Sequence, residues 1–260
     1  MGGVFGVMEQ TVTTGPVDGQ FDVRPGRRDI GALTGLVRSG LRVRDEASVA
    51  AGSLNGVVVK PWGYESRVFW NDFLDVWHLS VEPGTATSVH AHPRKTTWLL
   101  CLSGRGVVET LGEGIELSSG VSVRVLPAAF HGTHATGQEG LHLVEVEAPR
   151  NKLDLVRLRD SHNRPPTQYE TAQAYPDAAG PAPLTYLPNS WLRPVSPEGL
   201  FSFGIRSGTD LFYRPLHGDL FHVPLDLEGV LNGNIAVIAA TRRDPARFAL
   251  DGYYLSVARA

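Results

Sequence analysis

Intrachain disulfides are excluded in this chain, because its 260 residues contain only one cysteine, Cys101. This residue lies in an apolar run from Trp98 to Leu102, so we expect a buried thiol of low reactivity. The lack of a second thiol agrees with a reducing compartment, and we therefore predict a cytoplasmic location.

Long apolar runs and an excess of positive charge are also absent. No run approaches the roughly 20 apolar residues that a membrane-spanning helix needs, and the first residues lack the basic start and apolar centre of a signal peptide. The 24 basic side chains are outnumbered by 27 acidic ones, which gives a net charge of −3. Because a nucleic-acid binder carries a basic footprint, neither a nucleic acid nor a membrane is an expected partner.

Glycine and proline, by contrast, are frequent, with 29 and 18 residues, and they separate short β-prone runs. Eight runs that are apolar or alternate in polarity follow one another at intervals of roughly ten residues. They cover residues 56–59, 66–70, 75–81, 97–102, 106–110, 114–117, 121–125 and 141–147. This pattern predicts an all-β fold, a sandwich or jelly-roll β-barrel with room inside for side chains and one small ligand.

Four segments are predicted along the chain. Residues 1–55 form an N-terminal arm with short helices, whose best helical pattern covers 28–51, and residues 56–172 form the barrel. Residues 173–183 form a linker, and residues 184–260 form a β-rich C-terminal extension. The extension either adds strands to the first sheet or forms a small second unit. Its strands are predicted at residues 200–205, 210–214, 218–223, 234–240 and 253–258.

Three histidines carry the strongest functional signal. His90 and His92 are one residue apart in a β-prone run, so a strand places both imidazoles on the same face. His131 follows a proline-containing turn about forty residues later. Three neutral imidazoles that leave coordination positions open form a catalytic-type site for a divalent transition metal such as zinc, manganese, iron or nickel. The alternative is a set of hydrogen-bonded polar histidines at a barrel mouth.

The spacing around these histidines resembles the two sequence motifs of the cupin superfamily. The matching residues are Gly84, His90, His92 and Gly104 in the first motif and Gly120, Pro127 and His131 in the second. Residues 60–65, 90–95, 145–149 and 152–157 resemble cupins of bacterial sugar-metabolism gene clusters that are described as mannose-6-phosphate isomerase-like. The resemblance implies a cupin jelly-roll barrel, a metal held by the three histidines, and a homodimer.

The first cupin motif has a glutamate at the position that Thr97, or Thr96, occupies here, and this departure leaves the fourth metal ligand open. A neutral hydroxyl binds a divalent cation weakly, whereas three histidines already suffice for a catalytic metal. Glu145 and Glu147 share one face of the last predicted barrel strand, and either one completes the ligand set if that face points inward. An outward, solvated face is the alternative. His134 is an alternative to His131 as the third nitrogen ligand, and a position outside the ligand set or on the surface is favoured for it.

Residues near the predicted barrel mouth are candidates for substrate binding and proton transfer. Arg94 and Lys95 suit the phosphate of a sugar ester, although an ordinary solvated turn is the alternative. Lys60 and Trp62 suit the entrance, where an aromatic face packs against a sugar ring, although Trp62 also suits a core position. The candidates for a general base are Glu145, Glu147, His134 and Tyr64. His78, within a predicted strand, is interpreted as a hydrogen-bonded core histidine rather than an inward proton carrier.

Cupins carry several chemistries, so three functions stay open. The first is metal-dependent isomerisation of a sugar phosphate or a related polyol, which the resemblance to sugar-cluster cupins favours. The second is an Fe(II)-dependent dioxygenase, because three histidines on iron leave room for oxygen and a chelating substrate. The third is a non-catalytic module that binds a sugar or nucleotide-sugar, which the threonine at position 97 motivates.

Overall fold

The structure is a computed structural model that describes residues 12–13, 19–43, 57–164, 195–214, 219–225, 238–239 and 248–260. Two sheets contain strands β1 to β13, which are Val12–Thr13, Gln20–Val23, Val57–Lys60, Gly63–Trp70, Asp75–Val81, Val89–Ala91, Thr96–Gly104, Gly106–Thr110, Gly114–Leu117, Ser122–Val125, His131–Ala135, Leu141–Ala148 and Val156–Arg159. A third sheet contains β14 to β17, which are Phe201–Ser207, Asp219–Pro224, Ile238–Ala239 and Tyr253–Arg259. The described helices are α1, Arg27–Arg38, and α2, Gly208–Tyr213.

The first two sheets pack against each other as a jelly-roll barrel, which confirms the predicted all-β fold. One sheet has the strand order β1-β9-β8-β11-β6-β13, and the other has the order β2-β10-β7-β12-β5-β4-β3. Each of the eight runs predicted between residues 56 and 147 corresponds to a strand, with bounds that differ by a few residues. The short strand β6 contains His90, and His92 directly follows it. The strands that carry the histidines are therefore central in one sheet.

Alternation along the central strands separates the barrel interior from a second core outside it. In β7, Leu99 and Cys101 belong to the interior core, whereas Trp98 and Leu100 belong to the outer one. Because side chains alternate between the two faces of a strand, the apolar residues of each core also show which polar residues of the same strand point into the barrel. The Cys101 thiol is buried, as predicted, and this burial raises its pKa to about 12.

The C-terminal extension forms a separate antiparallel sheet with the strand order β14-β17-β15-β16. Its apolar side chains, including Phe201, Phe203 and Leu255, share one core with Trp98 and Val144 of the barrel. The outer face of the seven-stranded barrel sheet is therefore covered by the extension. The predicted linker, residues 173–183, lies outside the described residues, and so does most of the strand predicted at 234–240.

The strand predicted at residues 210–214 is wrong, because helix α2 occupies this place. The Ser207 hydroxyl accepts a hydrogen bond of 3.1 Å from the backbone N–H of Asp210, which caps the first turn of the helix. The short apolar run around Leu211 and Phe212 was read as a strand, because so few residues do not distinguish the 3.6-residue period of a helix from the two-residue period of a strand.

Helix α1 lies against the outer face of the histidine-bearing sheet. Its Leu33 and Leu36 pack in a cluster with Val89 and Phe130, whereas Ile30 is half exposed. The described helix ends at Arg38, and residues 44–51 of the predicted helical region lie outside the described residues. Neither helix in the described part of the chain is both long and apolar enough to cross a membrane.

A buried carboxylate ties this helix to the turn before β11. Asp29 accepts one hydrogen bond of 2.8 Å from the N–H of Gly26, at the start of the helix, and a second of 2.8 Å from the N–H of Phe130. Phe130 immediately precedes His131, so the N-terminal segment helps to fix the position of that histidine.

The turn that leads into β11 contains a residue in the left-handed region. Ala128 has a φ of 68°, and its N–H donates a 2.8 Å hydrogen bond to the carbonyl of His92. The turn therefore connects the two histidine segments through the backbone. A residue with a β-carbon is strained by about 1–2 kcal/mol in this conformation, whereas glycine adopts it readily.

We expect Ala128→Gly to stabilise the protein by up to about 1 kcal/mol, because relief of the strain exceeds the entropy that glycine adds to the unfolded chain. For a protein of this size the melting temperature should rise by about 2–4 °C in thermal unfolding followed by circular dichroism. Ala129→Gly is the control and should lower stability, because Ala129 is buried and its φ is not in the left-handed region. A decrease with Ala128→Gly would contradict the account of strain.

Candidate metal centre

Three imidazoles converge inside the barrel. His131 of β11 pairs directly with His90 of β6, and the ring centroids of His90, His92 and His131 are 4.6, 4.9 and 5.3 Å apart. One nitrogen from each ring lies within 4.8 Å of the other two. The structure thus brings together the three residues that the sequence predicts as metal ligands.

Each ring is oriented by a main-chain carbonyl that contacts its Nδ1 atom. The distances are 2.7 Å from His90 to Ser88, 2.6 Å from His92 to Asp154 and 3.2 Å from His131 to Ala129. A carbonyl accepts a hydrogen bond, so each Nδ1 carries the proton and each Nε2 keeps its lone pair. The Nε2 atoms of His92 and His131 are buried, and no described residue is their hydrogen-bond partner. Histidines that bind a metal are usually oriented in this way, with one ring N–H donating to a carbonyl or carboxylate and the other nitrogen facing the metal.

The site also keeps the three imidazoles neutral. Burial lowers the pKa of His131 to about 4, and burial lowers the pKa values of His90 and His92 well below the usual range. Because a metal binds the unprotonated ring, these histidines stand in the required state at neutral pH. The donor set therefore fits a divalent transition metal by its chemistry.

A carboxylate lies across from the threonine that replaces the motif glutamate. Thr97 of β7 is buried, and in the strand register it is the direct partner of Glu147 in β12. One oxygen of Glu147 accepts a 2.6 Å hydrogen bond from Lys95, whereas the other is buried and has no hydrogen-bond partner within the described residues. Donor atoms of His92, Glu145 and Glu147 all lie within 4.8 Å of one another. The interior thus holds a carboxylate at the same level of the barrel, but on the neighbouring strand.

The wall beside the histidines is a network of buried charges. Lys152 lies 2.9 Å from Glu145, 3.4 Å from Glu147 and 3.7 Å from Glu65. Lys60 lies 3.4 Å from Glu65. Each lysine is thus paired with carboxylates, which buried charges require.

The network also sets the ionisation of its members. Burial raises the pKa of Glu145. Burial acts in the same direction on Glu147, but the charges of Lys152 and Lys95 outweigh it and lower the pKa of that carboxyl. The pKa of Lys152 is raised, because three carboxylates outweigh the effect of its burial. Lys152 is therefore a permanent cation in the cavity wall.

These groups line one cavity of about 550 Å³, a volume that includes its open mouth. Its wall contains the three histidines, Lys60 and Trp62, together with three glutamates and two arginines, which are Glu65, Glu145, Glu147, Arg157 and Arg164. A charged wall opposite neutral metal ligands suits a polar, hydroxyl-rich or anionic ligand.

Four of the predicted site residues do not line this cavity. The side chain of Arg94 is half exposed and contacts Asp154 at 2.9 Å, and Lys95 is fully buried against Glu147. His134 is exposed on the outer side of β11, because it is three residues away from His131 along the strand. Tyr64 lies on the outer face of β4, where its ring contacts His78.

Several residues of the site were not assigned a role from the sequence. They are Glu65, Lys152, Asp154, Arg157 and Arg164. Asp154 accepts hydrogen bonds from the N–H groups of Arg94 and Lys95, at 2.8 and 3.1 Å, and its own carbonyl orients His92. The only signal was that Glu65, Lys152, Asp154 and Arg157 belong to two segments that resemble the sugar-cluster cupins, without any indication of their individual contacts.

A family model described as "Cupin domain" matches residues 77–147. The matched stretch runs from β5 into β12 and contains the three histidines, Glu145 and Glu147. Among solved structures, KdgF from Halomonas sp. is similar with a TM-score of 0.36 and 20% identity, over 40% of this chain and 93% of that one. The capsular polysaccharide assembling protein CapF from Staphylococcus aureus is similar with a TM-score of 0.36 and 22% identity, over 40% of this chain and 31% of that one.

Two curated relatives are mannose-1-phosphate guanylyltransferases. The protein from Sinorhizobium fredii (strain NBRC 101917 / NGR234) is 27% identical over 130 residues, which cover 49% of this chain and 25% of that protein. The protein from Klebsiella pneumoniae is 25% identical over 109 residues, which cover 41% of this chain and 23% of that protein. The chain thus matches about a quarter of the length of these curated relatives.

Proposed function

We propose that this chain, which contains a cupin domain, is a metal-dependent enzyme that isomerises a sugar phosphate or a related polyol. The observation that carries this proposal is the convergence of three neutral, carbonyl-oriented histidines on a cavity whose remaining wall is charged. The names of the curated relatives contain a sugar phosphate, which supports the substrate class.

The metal is bound by the Nε2 atoms of His90, His92 and His131, with Glu147 as the fourth ligand. The buried, unpartnered oxygen of Glu147 supports this role. Open coordination positions remain for substrate oxygens. A divalent ion held there would act as a Lewis acid on a carbonyl oxygen and on the oxygen of the neighbouring hydroxyl, and would so acidify the C–H bond of the hydroxyl-bearing carbon next to the carbonyl.

Glu145 is the residue that moves the proton between neighbouring carbons. Its carboxyl group lines the cavity beside Glu147 and is held by Lys152 at 2.9 Å. A positioned carboxylate of this kind accepts a proton from one carbon and returns it to the next. Tyr64 and His134 are not assigned this role, because neither lines the cavity.

Arg157 and Arg164 bind the anionic group of the substrate. Both line the cavity, and Arg157 pairs with His90 across β13 and β6, which places it beside the histidine cluster. A guanidinium group offers a fork of N–H donors that matches a phosphate. This assignment replaces Arg94 and Lys95, because neither lines the cavity. The guanidinium of Arg164 also contacts Asp160 at 2.7 Å, which fixes its position at the cavity wall.

Hydrogen exchange at carbon tests the reaction. Chelator-treated protein, reloaded with zinc, manganese, iron or nickel, is incubated with hexose phosphates in deuterated buffer, and loss of the C2 proton is followed by NMR. We expect exchange that requires the metal, is faster for phosphorylated than for free hexoses, and falls about 100-fold in Glu145→Gln. Glu116→Gln, which changes an exposed carboxylate on β9, is the matched control and should leave the rate unchanged.

The other two functions are outcomes of the same experiment. Oxygen uptake by the iron-loaded protein without C2 exchange would indicate a dioxygenase. Tight sugar binding that does not need the metal, again without exchange, would indicate a binding module. Either result would overturn the isomerase proposal.

A further inference from the structure

A second cluster of metal-ligating side chains lies on the opposite face of the cavity-forming sheet. His78 of β5 and His142 of β12 point away from the barrel interior, and their rings are parallel within 4° with centroids 5.6 Å apart. The carboxylate of Glu198, from the turn before β14, lies 3.3 Å from Nδ1 of His142. One donor atom from each of the three residues lies within 4.8 Å of the other two.

His78 is the unusual member of this cluster. The residue is completely buried, and neither of its ring nitrogens has a hydrogen-bond partner among the described residues. Its neighbours include the rings of Phe201 and Phe203, at centroid distances of 5.8 and 5.9 Å. An imidazole always presents at least one N–H group or lone pair that is costly to bury alone. The hydrogen-bonded core histidine expected from the sequence is therefore not what the structure shows.

The other two members of the cluster, His142 and Glu198, add a second imidazole and a carboxylate beside His78. Burial opposes ionisation of Glu198, but contacts with His142 and the Tyr64 hydroxyl outweigh it, and the pKa of this carboxyl is lowered. The carboxylate is therefore ionised at neutral pH. Two imidazoles and one carboxylate, with a hydroxyl close by, match the ligand types of zinc and similar divalent ions.

We propose that His78, His142 and Glu198 bind a second divalent transition-metal ion, distinct from the ion in the barrel. Both histidines belong to the barrel, whereas Glu198 belongs to the C-terminal extension. The ion therefore links the extension to the outer face of the barrel and has a structural role. This site does not depend on the reaction proposed for the cavity.

Metal stoichiometry tests the second site directly. Full-length, chelator-treated protein is titrated with Zn²⁺ alone by calorimetry and with Co²⁺ by visible absorption. We expect two equivalents in the wild type, one in His131→Ala, and none in His78→Phe/His131→Ala. Phenylalanine has a ring of similar size and suits the aromatic surroundings of position 78, so the variant should fold. Zn²⁺ should raise the melting temperature of His131→Ala and not that of the double variant.

Two further variants keep the test decisive. In the His131→Ala background, Glu198→Gln should weaken binding at least about tenfold, because it removes the charged ligand from a partly exposed turn. His131→Ala/His134→Ala is the control and should keep its one equivalent, because His134 is exposed on β11. The proposal is overturned if His131→Ala binds no ion, or if the ion it binds is unaffected by both His78→Phe and Glu198→Gln.

Discussion

Replacement of His131 with alanine is expected to abolish metal-dependent turnover and to empty the barrel site. The Nε2 atom of His131 is buried without a hydrogen-bond partner among the described residues, so its lone pair is available to the proposed metal. Loss of the ligand leaves two imidazoles and the Glu147 carboxylate, whose charge Lys95 and Lys152 share. Removal of a direct ligand should cost more than the 10- to 100-fold loss of affinity that follows removal of a residue that only orients a ligand. Since a Lewis-acid metal contributes several kcal/mol to a reaction, turnover should fall by about 1,000-fold or more.

The measurement is Zn²⁺ affinity by competition with a chelator, in the His78→Phe background, so that the barrel is the site observed. His134→Ala in the same background is the matched control: it removes an imidazole from the same strand, three residues further on, where the side chain is exposed. Its affinity should be unchanged. Equal losses in the two variants would contradict the ligand assignment, and so would an unchanged affinity in His131→Ala.

The histidine cluster was predictable because its signals are local. A spacing of two residues places His90 and His92 on one side of an extended chain, and a proline-containing turn brings His131 onto a neighbouring strand. The structure adds that His92 lies just beyond β6 and is oriented by the carbonyl of Asp154. The jelly-roll fold was predictable for a similar reason, because eight alternating runs with turn residues between them have few other arrangements.

The roles of the charged residues were not predictable, because they depend on contacts between distant parts of the chain. Arg94 and Lys95 have the composition of a phosphate site, but Asp154 and Glu147, more than 50 residues away, engage them. Neighbouring residues such as Tyr64 and Glu65 must point to opposite faces of β4, and only the packing of the sheets decides which one lines the cavity.

The proposed fourth metal ligand, Glu147, illustrates the same limit in one pair of residues. The sequence shows a threonine where the motif has a glutamate, and it shows two glutamates in a later strand, but it does not give the register between the strands. In the structure β7 and β12 pair so that Thr97 and Glu147 are directly opposite. Side chains of directly paired residues have Cβ atoms about 4.5–5.5 Å apart. A carboxylate on either strand therefore reaches the same region of the interior.

Replacement of Glu147 alone should weaken metal binding, and exchange of the side chains at positions 97 and 147 should restore it. Glu147→Thr deletes the proposed fourth ligand and the carboxylate that lies 2.6 Å from the buried Lys95, so we expect weaker metal binding and a loss of about 3–5 kcal/mol in the free energy of unfolding. Thr97→Glu/Glu147→Thr has the same composition and net charge as the wild type. Its carboxylate is two residues after Lys95, which directly precedes β7, so both the ion pair and the metal ligand should be regained.

Unfolding of the chelator-treated protein and Zn²⁺ affinity, measured separately in the His78→Phe background, distinguish the two effects. Glu147→Gln is the control for shape, because it keeps the size of the side chain and removes its charge. If the exchanged double variant recovers stability without affinity, Glu147 serves only as the partner of Lys95 and is not a ligand. Recovery of both stability and affinity would mean that the metal requires a carboxylate at this level of the barrel. The carboxylate could then come from either strand, because the register between β7 and β12 places positions 97 and 147 directly opposite each other.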